Sequence, residues 1–319
     1  GSEMCIRDRC ETHDFTMKIR IATRTSPLAM LQTNQVIAQI ESIDSMSVCE
    51  IISIESDGDL TEIPLHLVGG KGLFVSKLET ALSNCDADIA VHSLKDVPAL
   101  LDPEFSIAAT LTREDSSDAM LLKEGISLND LKKNSRIGTS GPRRKSQMLA
   151  MYPTLEIVPV RGNIQTRINK IASENLDGLI IAKAALNRLE INYPNIHVFS
   201  NKEMLPAAGQ GAIGIEVCNS QIKSEILDIL DQVNCPETFL ATKIEREIVK
   251  LLEGTCLSPI SALVVIQDQK CNLHVRVSNQ NGSKVIEKDL SFFPEQEPDA
   301  LSSFKRDLLK DGAQELIQT

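Results

Sequence analysis

RIGTSGPRRKSQMLAMYPTLEIVPVRGNIQTRINK, residues 136–170, sets the fold class of this chain. RIGT reads as a strand, Ser140 to Met151 as a helix, LEIVPV as a strand and Ile164 to Ala172 as a second helix, with GLIIA at 178–182 the next strand. Strands alternating with helices at this spacing imply parallel sheets covered on both faces. The stretch also holds seven Lys or Arg and a single acid, Glu156, inside a chain of formal charge −11. Arg143 and Arg144 follow a Gly-Thr-Ser-Gly-Pro turn, and Arg161 and Arg167 bracket Gly162-Asn163, so the cations stand where helices begin. Unpaired N–H groups and the positive end of the helix dipole make such places receptive to anions. From charge alone the stretch is either a cradle for a multiply charged anion or a solvated basic face.

Working outward, MKIRIAT (17–23) is strand-like and runs into Arg24-Thr25-Ser26-Pro27, where Ser26 suits an N-cap and Pro27 a first helical turn. Ala29, Val36, Ile40 and Ile43 then form one helical stripe. A second strand at 48–54 leads to a polar loop with Gly69-Gly70-Lys71-Gly72 and a helix bearing Phe74, Leu78 and Leu82. DIAVH (88–92) is a buried strand ending in HSLKDVP, where Pro98 stops regular structure. Residues 105–122 read as two extended segments joined by the polar Arg113 to Ser117 link. Arg24, Lys95 and Arg161 all fall at carboxyl ends of strands, where such sheets bind ligands. Past LPAAGQGAIGIEV the pattern changes. Pro236 opens a helix lined by Leu240, Ile244, Ile248 and Leu251, with Gly254 as its cap. CNLHVRVS alternates Leu273, Val275 and Val277 to one side, Asn281-Gly282 is a hairpin turn, and helices follow from about Asp299.

The bulk numbers bound the function. A chain of 319 residues suggests two or three domains, and 42% apolar with 24% charged residues is a globular composition. No apolar run is long enough to span a bilayer and no signal-peptide core is present, so a cytoplasmic location is expected. Eight cysteines without CxxC spacing argue against zinc or iron–sulfur, and no metal is expected. A pI near 5.1, no Trp and two Tyr argue against a nucleic-acid partner. Gly1-Ser2 reads as a cloning remnant, and residues 1–16 are expected to be a disordered extension.

Two side chains invite chemistry. Cys256, on the tight EGTCLSP loop, is either an accessible nucleophile or a half-buried packed thiol. Asp96 is either one half of a local ion pair or a carboxylate that stabilises developing positive charge or moves a proton. His92 reads as a structural hydrogen-bonder. Gly69 to Gly72 lacks the phosphate-loop spacing, since Leu73 holds the Ser/Thr place, and reads as a glycine lid with Lys71 and Phe74. LPAAGQGA reads as a hinge or a close backbone approach.

Taken in order, RIATRTSPLA, GGKGLF, DIAVHSLKDVP, GTSGPRR, VRGNIQTR, LPAAGQGAIGIE and EGTC resemble the porphobilinogen deaminase family from about Lys18 to the chain's end. The resemblance implies an α/β fold of two periplasmic-binding-protein-like lobes with mixed, mostly parallel sheets, plus a small α+β C-terminal domain. Its implied boundaries are 17–112 with 212–232, 113–211, and 233–319. It implies a transferase that condenses porphobilinogen with loss of ammonia to linear hydroxymethylbilane, on a dipyrromethane held as a thioether by Cys256. Lys95, Ser93, Thr139, Arg143 and Arg144 would hold that cofactor, and Arg24, Ser26, Arg161, Arg167 and Arg188 the substrate and growing chain. Asp96 would assist loss of ammonia and steady the cationic azafulvene. A monomer is implied. Gly141, Pro142, Thr255, Ser258, Asp57 and Ala185 depart from the family pattern; Gly141 removes a hydroxyl from the cofactor cradle. The competing classes are a reversible two-lobed anion-binding protein, indifferent to Cys256, and a nucleic-acid-binding module.

Overall fold

The computed structural model describes residues 17–55, 75–255 and 257–318. Residues 1–16, Asp57, the glycine loop with Lys71 and Phe74, and Cys256 itself lie outside the described residues.

Three sheets organise the chain. The first is built from β1 (Lys18–Arg24), β2 (Val48–Ile54), β3 (Ile89–Ser93), β4 (Phe105–Thr110) and β10 (Ile213–Cys218), in the order β2-β1-β3-β10-β4. The second holds β5 (Asp118–Leu122), β6 (Arg136–Gly138), β7 (Glu156–Val158), β8 (Gly178–Ala182) and β9 (Ile196–Val198), in the order β7-β6-β8-β5-β9. The two share one plan. One strand pairs in parallel on both sides, β1 in the first sheet and β6 in the second, and one runs against its two neighbours, β10 in the first and β5 in the second. Each reversed strand is the first one formed after the chain crosses from the other sheet. The mixed, mostly parallel reading therefore holds, and the reversal is a product of the two crossings.

Helices follow from the stripes. α1 (Pro27–Ile43) starts at Ser26, whose Oγ accepts from Ala29 N at 3.3 Å, and buries Ala29, Val36 and Ile40. With α6 (Ser224–Val233) it packs on one face of the first sheet, while α2 (Ser76–Ser83) covers the other with Leu78 and Leu82. α3 (Pro142–Met151), α4 (Ile164–Ser173) and α5 (Lys183–Arg188) clothe the second sheet, α3 through Met148 and α4 through Ile171.

The third sheet, β11 (Ile260–Gln267), β12 (Lys270–Ser278) and β13 (Val285–Phe292), is an antiparallel meander. Leu273, Val275 and Val277 are fully buried against α7 (Pro236–Leu251), α8 (Glu297–Lys310) and α9 (Ala313–Gln318), as their alternation requires. One local expectation changes. Glu253, not Gly254, takes the left-handed conformation after α7 (φ 55°). Gly254 is needed for closeness instead, since a Cβ there would sit 2.4 Å from Ile260 Cδ1.

Candidate functional site

The carboxyl ends of β1, β3 and β6 and the starts of α3 and α4 bring the charged residues together. β1 ends on Arg24, and the short 3-10 turn Leu94–Asp96 continues β3. Pro142 at the first position of α3 sets Arg143 and Arg144 in its opening turn. Asn163 caps α4, its Oδ1 accepting from Thr166 N at 2.9 Å, and Arg167 Nε reaches back to Gly162 O at 2.6 Å. Gly162 has φ 106°, a conformation that favours glycine.

Electrostatics define the cluster. Burial lowers the pKa of Arg167, with Arg144, Arg24 and Arg161 adding repulsion and Asp96 opposing them. Burial likewise brings Lys95 down to about 8; Arg144 and Arg143 push the same way, Asp96 and Asp118 the other. Arg167 thus feels Arg24, Arg144, Arg161 and Asp96, and Lys95 feels Arg143, Arg144, Asp96 and Asp118, so cations outnumber carboxylates in this neighbourhood. Such an excess selects an anion, and guanidinium forks suit carboxylates in particular. Asp96 is exposed and half-buried Lys95 donates from Nζ to Gln210 Oε1 at 3.2 Å.

Ser93, Lys95 and Arg188 line one narrow cleft together with Gln32 and Gly211. Gln32 Nε2 donates to Ser93 Oγ at 2.8 Å, and Arg188 Nη2 donates to Gly211 O at 2.8 Å. Thr139 is buried beside Gly141, whose N–H donates to its Oγ1 at 3.4 Å. Ser26 spends its hydroxyl on the α1 cap. A separate open depression of about 490 Å³ between β4 and α6 is lined by Asp228 and Asp231 and by no Lys or Arg, and it contains none of these candidates.

Two participants escaped the sequence reading. Asp118, 0% exposed, stands behind both α3 arginines, and Gln210 stands behind Lys95. The one available signal for Asp118 was an acid heading the wholly apolar run AMLL; Gln210 sat in LPAAGQGA, which reads as a hinge or a close backbone approach.

Residues 19–225 match the family model described as "Porphobilinogen deaminase, dipyromethane cofactor binding domain". A porphobilinogen deaminase of Clostridium botulinum (strain Kyoto / Type A2) is 41% identical over 296 residues, covering 92% of this chain and 100% of that protein. One from Campylobacter concisus is 36% identical, covering 94% and 97%. Among solved structures, the methionine binding protein MetQ overlaps with a TM-score of 0.44 at 11% identity, covering 70% of this chain and 92% of that one.

Proposed function

The chain belongs to the porphobilinogen deaminase family, and on that premise we propose that Cys256 carries the family's dipyrromethane cofactor as a thioether, with the interlobe cations holding its carboxylates. The activity is the family's transferase reaction, in which porphobilinogen units condense with release of ammonia to linear hydroxymethylbilane. The observation that carries the assignment of residues is the meeting of Arg24, Lys95 and Asp96 from the first sheet with Arg144, Arg161 and Arg167 from the second. Their donor set fits acetate and propionate arms.

When bound, the dipyrromethane supplies the nucleophilic pyrrole carbon at which units are added. Lys95, Ser93, Thr139, Arg143 and Arg144 hold its carboxylates in this reading. Arg24, Arg161, Arg167 and Arg188 receive the carboxylates of incoming porphobilinogen, and Ser26 fixes the start of α1 beside them. Asp96, exposed in the cleft, accepts from a pyrrole N–H and offsets the positive charge that grows as ammonia departs. A covalent anchor makes every addition effectively intramolecular. In this reading the chain is divided into three domains, 17–112 with 212–232, 113–211, and 233–319, each built around one of the three sheets.

No helix among the described residues is long and apolar enough to cross a membrane. The finer reading, a cytoplasmic monomer without a nucleic-acid partner, rests on the acidic charge and the family; sedimentation at 35.0 kDa tests the monomer.

Intact mass tests the anchor. The purified protein is expected to exceed its 35.0 kDa sequence mass by a covalent adduct that Cys256→Ser abolishes. Asp96→Asn is expected to keep the adduct and lose about 100-fold or more in turnover. Plain sequence mass, no turnover and reversible anion binding would instead favour a non-catalytic two-lobed binder.

A further inference from the structure

Behind the cleft, one buried carboxylate pairs with two arginines and is linked through Gln210 to a lysine. Asp118 opens β5, directly after the first crossing between the sheets. Its Oδ2 forms an ion pair with Arg143 Nη2 at 2.7 Å, and its Oδ1 accepts from Arg144 Nε at 2.9 Å and is ion-paired with Arg144 Nη2 at 2.8 Å. Gln210 Nε2 also donates to Oδ1, at 2.9 Å, while Gln210 Oε1 accepts from Lys95 Nζ. The arginines are tied at a second point as well, Arg143 Nη1 to Leu205 O at 2.8 Å and Arg144 Nη1 to Ile180 O at 3.2 Å.

We propose that Asp118, working with Gln210, is a positioning residue for the reaction: it locks the Arg143 and Arg144 forks and balances the charge of Lys95 beside them. The inference rests on the reading that this cleft binds pyrrole carboxylates. A guanidinium gripped along one edge presents its other N–H groups in a fixed direction, so its rotamer freedom is spent before the ligand arrives. Asp118 also supplies charge. Lys95 faces Arg143 and Arg144 with two carboxylates, Asp96 and Asp118, to oppose them. Removing the Asp118 charge leaves Asp96 alone against both arginines, and the ammonium then gives up its proton at lower pH.

The test compares the full-length protein with Asp118→Asn, which keeps the shape and loses the charge, and Asp118→Glu, which keeps the charge. Adduct fraction by intact mass, cooperative thermal unfolding, and KM and kcat for porphobilinogen are measured between about pH 6 and 9. Asp118→Asn is expected to fold, to carry a reduced adduct fraction, and to show its alkaline rise in KM about one pH unit below that of the parent. Asp118→Glu is expected to return that midpoint toward the parent's. A parent with adduct beside an Asp118→Asn with an unchanged KM profile overturns the inference alone, and so does loss of cooperative folding in both variants, which makes Asp118 structural. A parent with neither adduct nor turnover overturns the underlying reading and this inference with it.

Discussion

Gly141 begins α3 where a hydroxyl would ordinarily satisfy the first amides of the helix. Its backbone is extended (φ −81°), and a Cβ there would meet only Arg144 Cδ at 3.9 Å. Gly141→Ser is therefore expected to fit and to raise stability by a few tenths of a kcal/mol, on the order of a cap change from glycine, read as a higher unfolding midpoint. Asp118 makes a larger statement. Burial would raise its carboxyl, but Arg143, Arg144, Lys95 and Gln210 together bring it down to about 2. A depressed carboxylate stabilises the fold above its unfolded pKa and loses that contribution as pH falls through the folded one. About 2 kcal/mol should therefore disappear between roughly pH 4 and 2. Denaturant titrations across that window should fall more steeply in the parent than in Asp118→Asn. The two residues also mark what sequence could supply. Arg24, Lys95 and Arg161 were legible because strand ends and helix starts announce themselves locally. Asp118 was not, since Arg144 and Gln210 lie 26 and 92 positions away and only the fold makes them neighbours.

Among elements, the hairpin joining β12 to β13 joins the third sheet to the site. Gly282 has φ 70°, and a Cβ there would fall 2.1 Å from Ser146 O and 2.6 Å from Ala150 N, both backbone atoms of α3. Ser278 Oγ donates to Ser146 Oγ at 2.8 Å, and Gln147 Nε2 donates to Ser261 Oγ at 3.0 Å. The helix that starts with Arg143 and Arg144 is thus fastened at its middle to the sheet that follows Cys256. Gly282→Ala is expected to cost about 1–3 kcal/mol and to speed amide exchange in the hairpin and along α3. The turn itself was readable from Asn281-Gly282. Its docking partner was not, because a turn motif states its own geometry and nothing about what it leans on.

At the scale of the molecule, Glu245 of α7 collects four donors from three places. Arg113 Nη1 and Nη2 reach it from the first crossing at 2.6 and 3.1 Å, Gly209 N from the second at 2.7 Å, and Val264 N from β11 at 2.9 Å. Arg246 beside it donates to Val97 O at 2.9 Å and Pro98 O at 2.8 Å, just past Asp96. Glu245→Ala would strand the Arg113 guanidinium in a poorly hydrated place. A loss of about 3–5 kcal/mol is expected, seen as a lower denaturant midpoint for the whole chain.

The place of β10 has a further consequence, for synthesis. The second sheet uses only residues 118–198 and can close as soon as they leave the ribosome. The first sheet cannot, because β3 and β4 must stay apart until residues 213–218 arrive to fill the gap between them. A nascent chain cut short before that point would pair a finished lobe with one holding two open strand edges. Chaperones and proteases act on such unpaired edges.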